Sequence, residues 1–65
     1  NRFEAHVNRP AWNKLTRYER TDIASMLAKK LAERGIKTAT VYAHKTKVIV
    51  IDVGAVAYVD EAGTK

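Results

Sequence analysis

The chain contains no cysteine, one proline, three glycines and two histidines among its 65 residues. Without thiols it forms no disulfide framework and performs no thiolate chemistry, which fits a reducing compartment, so a cytoplasmic location is expected. His6 and His44 lack the spacing of a zinc site, and no Gly-rich phosphate loop or Ser/His/Asp arrangement is recognisable. The sequence therefore predicts a protein that is not an enzyme, with no metal, cofactor or small-molecule substrate.

Long hydrophobic runs are also missing. No apolar segment approaches the roughly 18 residues that a membrane span needs. A chain of this size folds as one domain that buries only about 60% of its unfolded surface. We therefore expect a single small basic domain over residues 1–65, soluble and without a membrane partner.

Positive charge is abundant and unevenly distributed. Residues 1–47 contain eleven Lys or Arg and four Asp or Glu residues, a net charge of +7, whereas residues 48–65 contain one Lys and three acidic residues, a net charge of −2. Such asymmetry affects partners and association rather than fold. It favours an anionic partner, nucleic acid or an acidic protein surface, for the first two thirds of the chain.

The middle of the sequence predicts an amphipathic helix from Thr16 to Gly35. Thr16 and Glu19 have the spacing of a capping box, and Gly35 suits the left-handed residue that follows a helix. Apolar residues recur at spacings of three and four, which indicates a core-facing stripe: Ile23, Met26, Leu27 and Leu31.

Three cations near the end of this helix have a structural explanation. Lys29, Lys30 and Arg34 lie beside the negative end of the helix dipole, where positive charge is stabilising. We therefore predict that they solvate and stabilise the helix without binding a ligand.

The remaining segments predict strands. Arg2–Val7 alternates between polar and apolar residues, Pro10 favours a short helix over Ala11–Leu15, and β-branched residues dominate the last third. Three further strands are expected there: Thr38–Ala43, Lys47–Val53 and Val56–Asp60. The predicted fold is α+β, one principal helix packed on a three- to four-stranded antiparallel sheet, in the order β-α-β-β-β.

Short turns at residues 44–46 and 54–55 predict the strand register. Val41 would lie opposite Val50, and Ile51 would lie between Thr40 and Tyr58. This register places four bulky residues on one sheet face: Tyr42, Ile49, Ile51 and Tyr58.

Both faces of this sheet would be largely apolar. Because one helix covers only one face, the other face needs Phe3 and Trp12 from the N-terminal segment, a second subunit or a partner protein.

Cations alternate with aromatic residues before and within the start of the helix. Cations neutralise phosphates and aromatic rings stack on unpaired bases. Trp12 belongs to this segment but is expected in the core, because tryptophan is highly buried on average. With two lysines at a hairpin tip, the candidate nucleic-acid contacts are Arg9, Lys14, Arg17, Tyr18, Arg20, Lys45 and Lys47.

Two functional hypotheses follow. The first is a small regulatory protein that binds nucleic acid through this basic and aromatic N-terminal surface. The alternative is a protein-binding inhibitor or adaptor, or a homodimer, that uses the apolar sheet face with Tyr42, Ile49, Ile51 and Tyr58.

Overall fold

A computed structural model describes residues 2–63. The elements follow one another as β1 (Arg2–Val7), α1 (Arg9–Asn13), α2 (Arg17–Glu33), β2 (Thr38–Ala43), β3 (Thr46–Asp52) and β4 (Ala55–Val59). The predicted α+β class and the order β-α-β-β-β are confirmed, with the short α1 as an additional element between β1 and α2.

The four strands form one sheet in the order β1-β2-β3-β4. β2, β3 and β4 pair antiparallel, but β1 pairs with β2 in parallel. The sheet is therefore mixed, and the prediction of an antiparallel sheet is wrong for β1. The reason is the helical connection, because α2 carries the chain back to the end of the sheet at which β1 began.

Local sequence signals define the ends of α2. The Thr16 hydroxyl accepts a hydrogen bond from the Glu19 amide at 3.1 Å, and the Glu19 carboxylate accepts one from the Thr16 amide at 2.8 Å. Beyond the helix, Gly35 adopts a left-handed φ of 75°. Both predicted ends are confirmed.

The buried stripe of α2 differs from the predicted one. Met26 is 62% exposed and Ile23 is also exposed. The stripe that packs against the sheet consists of Arg20, Ala24, Ala28 and Leu31. Two alanines allow the helix to approach β3 and β4 closely, and Arg20 fixes its rotation through contacts described below.

The short helix α1 begins two residues earlier than predicted. The Asn8 side chain accepts a hydrogen bond from the Ala11 amide at 3.2 Å, and Pro10 occupies the first turn, where its missing N–H costs nothing. Trp12, which belongs to this helix, is buried, as predicted.

The predicted register is wrong by one residue. Val41 lies opposite Ile49 rather than Val50, and Ile51 lies opposite Ala39 rather than Thr40. The turn contains two residues instead of three, because Thr46 already belongs to β3, and the pairing next to it places Tyr42 opposite Lys47. An irregularity between Val41 and Tyr42 then leaves Val48 unpaired and changes the register of the rest of the hairpin. Beyond this irregularity, the side chains of β3 lie on the face opposite to the predicted one.

The second hairpin departs from expectation in the same way. Its turn is Val53-Gly54 rather than Gly54-Ala55, and Tyr58 lies opposite Val50 rather than Ile51. The antiparallel pairings also contain irregularities that leave Val48 of β3 and Ala57 of β4 without a directly opposite residue.

The corrected register defines two different faces. The face toward α2, here called the core face, carries Phe3, Ala5, Val7, Ala39, Val41, Ile49 and Ile51. The opposite face, here called the open face, carries two cross-strand rows: Glu4, Thr40, Val50 and Tyr58, then His6, Tyr42 and Lys47. The open face is therefore substantially polar, which reduces the apolar excess inferred from sequence.

A buried arginine connects three parts of the fold. Arg20 is 1% exposed, and its Nη1 donates hydrogen bonds to the carbonyl oxygens of Asp60 at 2.9 Å and Ala62 at 3.0 Å. Its guanidinium carbon lies 4.9 Å from the centroid of the Trp12 ring. These contacts join α2 to α1 and to the segment that follows β4.

We expect Arg20→Ala to lower the free energy of unfolding by about 3 kcal/mol, because it removes two charge-assisted hydrogen bonds and a cation–π contact and leaves a cavity. Urea denaturation followed by Trp12 fluorescence measures this change. Arg17→Ala, exposed one turn earlier on the same helix, is the matched control and should change stability by less than about 0.5 kcal/mol. Equal stabilities for the two variants would contradict the assignment of Arg20 as a structural connector.

The β3–β4 turn contains local strain. Val53 has a φ of 53° and is 79% exposed, and Gly54 follows with a φ of 76°. The left-handed region is unfavourable for a β-branched side chain, whereas asparagine tolerates it.

We therefore expect Val53→Asn to raise the free energy of unfolding by about 1 kcal/mol, since it relieves backbone strain without removing a buried contact. Gly54→Ala is the complementary variant. No atom lies within 4 Å of the added methyl group, so a loss of about 1 kcal/mol there would report conformation alone. Urea denaturation measures both changes. A Val53→Asn protein that is less stable than wild type would show that the backbone at Val53 is not strained.

Candidate functional site

The topology brings the predicted cationic residues to one end of the sheet. β1, β2 and β4 run in the same direction and end where β3 begins. α1 and the start of α2 follow directly from the end of β1. The candidate residues from the two parts of the sequence therefore lie at one end of the sheet, here called the basic end: Arg9, Lys14, Arg17, Tyr18, Lys45 and Lys47.

Arg9 connects the helical side of the basic end to the hairpin tip. Its Nη2 donates a hydrogen bond to the Ala43 carbonyl oxygen at 3.1 Å. Ala43 is the last residue of β2, immediately before the turn that contains Lys45. The half-buried Arg9 therefore has a structural role, because it links the start of α1 to the turn between β2 and β3.

The helical side presents an exposed cation and an exposed ring. The Arg17 guanidinium carbon lies 5.7 Å from the centroid of the Tyr18 ring, and Tyr18 is 73% exposed. Lys14 is exposed where α1 ends. This arrangement can contact phosphates and offers a ring for stacking.

The sheet side contains a second aromatic group that the sequence analysis missed. His6 and Tyr42 stack with ring centroids 5.3 Å apart and an interplanar angle of 20°. Lys47 lies directly opposite Tyr42 in the neighbouring strand. Period-two alternation placed His6 on a solvated face, but its neighbour could not be identified without the parallel β1–β2 register.

Arg20 is not available to a ligand in this fold. Its sequence position among exposed cations suggested phosphate contact, but its side chain lies inside, against Trp12 and the Asp60 and Ala62 carbonyl groups. The surface set at the basic end therefore excludes it. The physical reason is that residue 20 lies on the sheet side of α2, as do Ala24 and Ala28.

Acidic side chains at the basic end are engaged elsewhere. The Glu19 carboxylate caps α2, and an oxygen of the Asp60 carboxylate accepts a hydrogen bond from the Ala62 amide at 3.0 Å. Away from these groups, an oxygen of the Glu4 carboxylate lies 3.9 Å from Nε2 of His6.

The predicted protein-binding set is divided between the two faces of the sheet. Ile49 and Ile51 are fully buried on the core face, so their assignment to an exposed surface is wrong. Tyr42 and Tyr58 remain on the open face, where Tyr58 is 48% exposed. The irregularity that leaves Val48 unpaired caused this division, because it reversed the face of Ile49 and Ile51 relative to β2.

A separate apolar groove of about 340 Å³ lies on the core face. It exists because α2 packs against β3 and β4 and leaves the β1 side of that face open. The lining is apolar throughout: Phe3, Ala5, Val7, Ala11, Trp12, Leu15, Ile23, Leu27, Val41 and Ile49.

Within residues 2–63, no three histidine or acidic side chains are grouped as a metal site requires. In the same part of the chain, no helix has both the length and the apolar character to cross a bilayer.

No protein-family model, curated protein or solved structure significantly matches the sequence.

Proposed function

We propose that this protein binds single-stranded nucleic acid through the basic end. The observation that carries the proposal is that cations distant in sequence, Lys14 and Arg17 with Lys45 and Lys47, are exposed at one end of the sheet, where Arg17 lies beside the exposed ring of Tyr18. Clustered lysines and arginines neutralise phosphates and release counterions, which supplies most of the affinity of such complexes.

A single strand suits this surface better than a duplex. Unpaired bases can stack on Tyr18, which is exposed beside Arg17, and each stacking contact is typically worth about 1–3 kcal/mol. The helix α1 has only five residues and its tryptophan is buried, so it offers little for reading base edges in a major groove. We therefore propose backbone contact with stacking, at micromolar affinity, without strong sequence preference.

The main test is fluorescence anisotropy with a labelled oligothymidylate or oligouridylate at low salt. We expect the triple variant Lys14→Gln, Arg17→Gln and Lys45→Gln to bind at least about tenfold more weakly and with a shallower salt dependence, since three phosphate contacts are removed. The matched control changes three exposed lysines at the other end of the molecule, Lys29, Lys30 and Lys37, to Gln. It carries the same net charge but should bind within about twofold of wild type.

Equal losses in the two triple variants would show attraction by overall charge and would contradict a defined site. So would the absence of micromolar binding by the wild-type protein. Polyglutamate as a competitor separates nucleic-acid recognition from affinity for any acidic polymer, because it supplies charge without bases.

The stacking contribution is tested separately. We expect Tyr18→Ala to weaken binding of the single strand by about 5- to 150-fold, the range that corresponds to about 1–3 kcal/mol, and Tyr18→Phe to retain it. Binding of a duplex should change little in either variant, since paired bases are not free to stack. Comparable losses for single strand and duplex would remove Tyr18 from the proposed role.

The second candidate is a protein-binding adaptor or inhibitor. It is supported by the apolar groove, since contiguous exposed apolar surface often marks an interaction site. Under this alternative, the basic end would attract an acidic partner protein rather than bind bases.

A further inference from the structure

The outer edge of β1 is a regular strand without a partner in the described chain. β1 is the first strand of the sheet and pairs only with β2, in an unbroken register over all six residues from Arg2↔Thr38 to Val7↔Ala43. Its sequence, RFEAHV, contains no proline and no lysine. Proteins usually protect such edges, because free N–H and C=O groups recruit another strand.

The opposite edge of the sheet is protected. β4 has only five residues, and its pairing with β3 is interrupted so that Ala57 has no direct partner. Irregularities of this kind twist an edge away from further pairing. The two edges therefore differ. Among the described strands, only β1 has an outer edge with an uninterrupted row of free N–H and C=O groups.

The sequence of β1 is complementary to itself when two copies run antiparallel around a two-fold axis at Ala5. In that register Ala5 lies opposite Ala5 of the second copy, and Glu4 lies opposite His6. The imidazole N–H can donate to the carboxylate, and the symmetry produces this pair twice. Residues directly opposite each other lie on the same face of a sheet. The helices of both copies would therefore pack on the same face of the joined sheet.

The apolar side chains match in the same register. Phe3 lies opposite Val7 of the second copy, again twice, on the core face. Val7 is 38% exposed and Phe3 is half-buried in the single chain. Because both residues line the apolar groove, pairing would join the two grooves into one continuous apolar strip.

Neighbouring registers that preserve the faces are poorer. Moving the axis to Glu4 places two carboxylates opposite each other, and moving it to His6 places two imidazoles opposite each other. Like groups directly opposite in a sheet are destabilising when charged. Complementarity therefore selects the axis at Ala5.

We propose that a second copy of this chain pairs antiparallel with the free edge of β1, around Ala5, and forms an eight-stranded sheet. Antiparallel pairing directs the two basic ends to opposite sides of the dimer, so neither is covered. The proposal is therefore independent of nucleic-acid binding, and each can fail without the other.

Disulfide trapping tests the register directly, because the natural chain has no cysteine. In the Ala5→Cys variant, the two substituted positions lie directly opposite, within the Cα separation that a disulfide tolerates. In Glu4→Cys, the equivalent atoms are offset by two residues and lie about 8 Å apart, beyond that limit. Ala57→Cys, on the exposed edge of β4, measures random collision.

Under mild oxidation we expect Ala5→Cys to form a disulfide-linked dimer at least about tenfold faster than either other variant. The reason is that its two thiols are already held opposite each other, whereas the other variants depend on random collision. Equal rates for all three variants would overturn the proposal. Faster trapping of Glu4→Cys would replace the proposed register with the one centred on that residue.

Sedimentation equilibrium on the unmodified protein, from about 10 μM to about 1 mM, provides a measurement that does not depend on any variant folding. We expect a concentration-dependent dimer. His6→Glu places carboxylates opposite each other twice and should weaken association at least about tenfold. The double variant Glu4→His with His6→Glu restores the complementary pair and should recover association.

The two variants share the loss of the His6–Tyr42 stack. The double variant also restores the 3.9 Å contact between residues 4 and 6 of one chain, so urea denaturation must give both variants the same free energy of unfolding for recovery to report the contact between copies. His44→Glu, which makes the same charge change in an exposed turn, should associate as wild type does. A protein that remains monomeric at every concentration would refute the pairing. Failure of the double variant to recover would refute the Glu4–His6 register.

Discussion

The position of the Arg20 guanidinium determines how the helices and the sheet fit together. It lies against the Trp12 ring and donates to two carbonyl groups that follow β4. A buried cation is costly unless hydrogen bonds and packing compensate its lost hydration. Those contacts exist only when α2 has one rotation about its axis, so the arginine selects the stripe through Ala24 and Ala28 for burial. Ile23 is consequently left beside the groove instead of inside the core.

The lateral position of α2 has equal consequences. By packing against β3 and β4, it closes one half of the core face and leaves the half that belongs to β1 partly open. The groove and the unpaired edge of β1 are therefore adjacent results of one packing arrangement. The basic end is a separate feature, since it arises where strand ends and helix starts meet. Because of this separation, the proposed pairing of β1 with a second copy would leave the basic end uncovered.

Several features could be predicted because their causes are local. The capping box of Thr16 and Glu19, the left-handed Gly35 and the alternation of Arg2–Val7 depend only on nearby residues. The hairpins were harder to predict. Val53 is β-branched and unfavourable at positive φ, so the sequence assigned it to a strand instead of the turn. The irregularity that leaves Val48 unpaired reversed the predicted face of Ile49 and Ile51 relative to β2. The apparent binding face with Ile49 and Ile51 came from that reversal.

The candidate site also has features that the sequence predicts and features that only the fold decides. Composition by itself indicated an anionic partner, since charge is a sum over residues and does not depend on their arrangement. Whether each cation is a surface group could not be read from position alone, because Arg17 and Arg20 are three residues apart and one is exposed while the other is buried. The sequence by itself determined the helix ends, the strand segments and the excess of positive charge. Only the tertiary structure decided the rotation of α2, the partners of each strand and the contact of Arg9 with Ala43, because these depend on contacts between residues far apart in the chain.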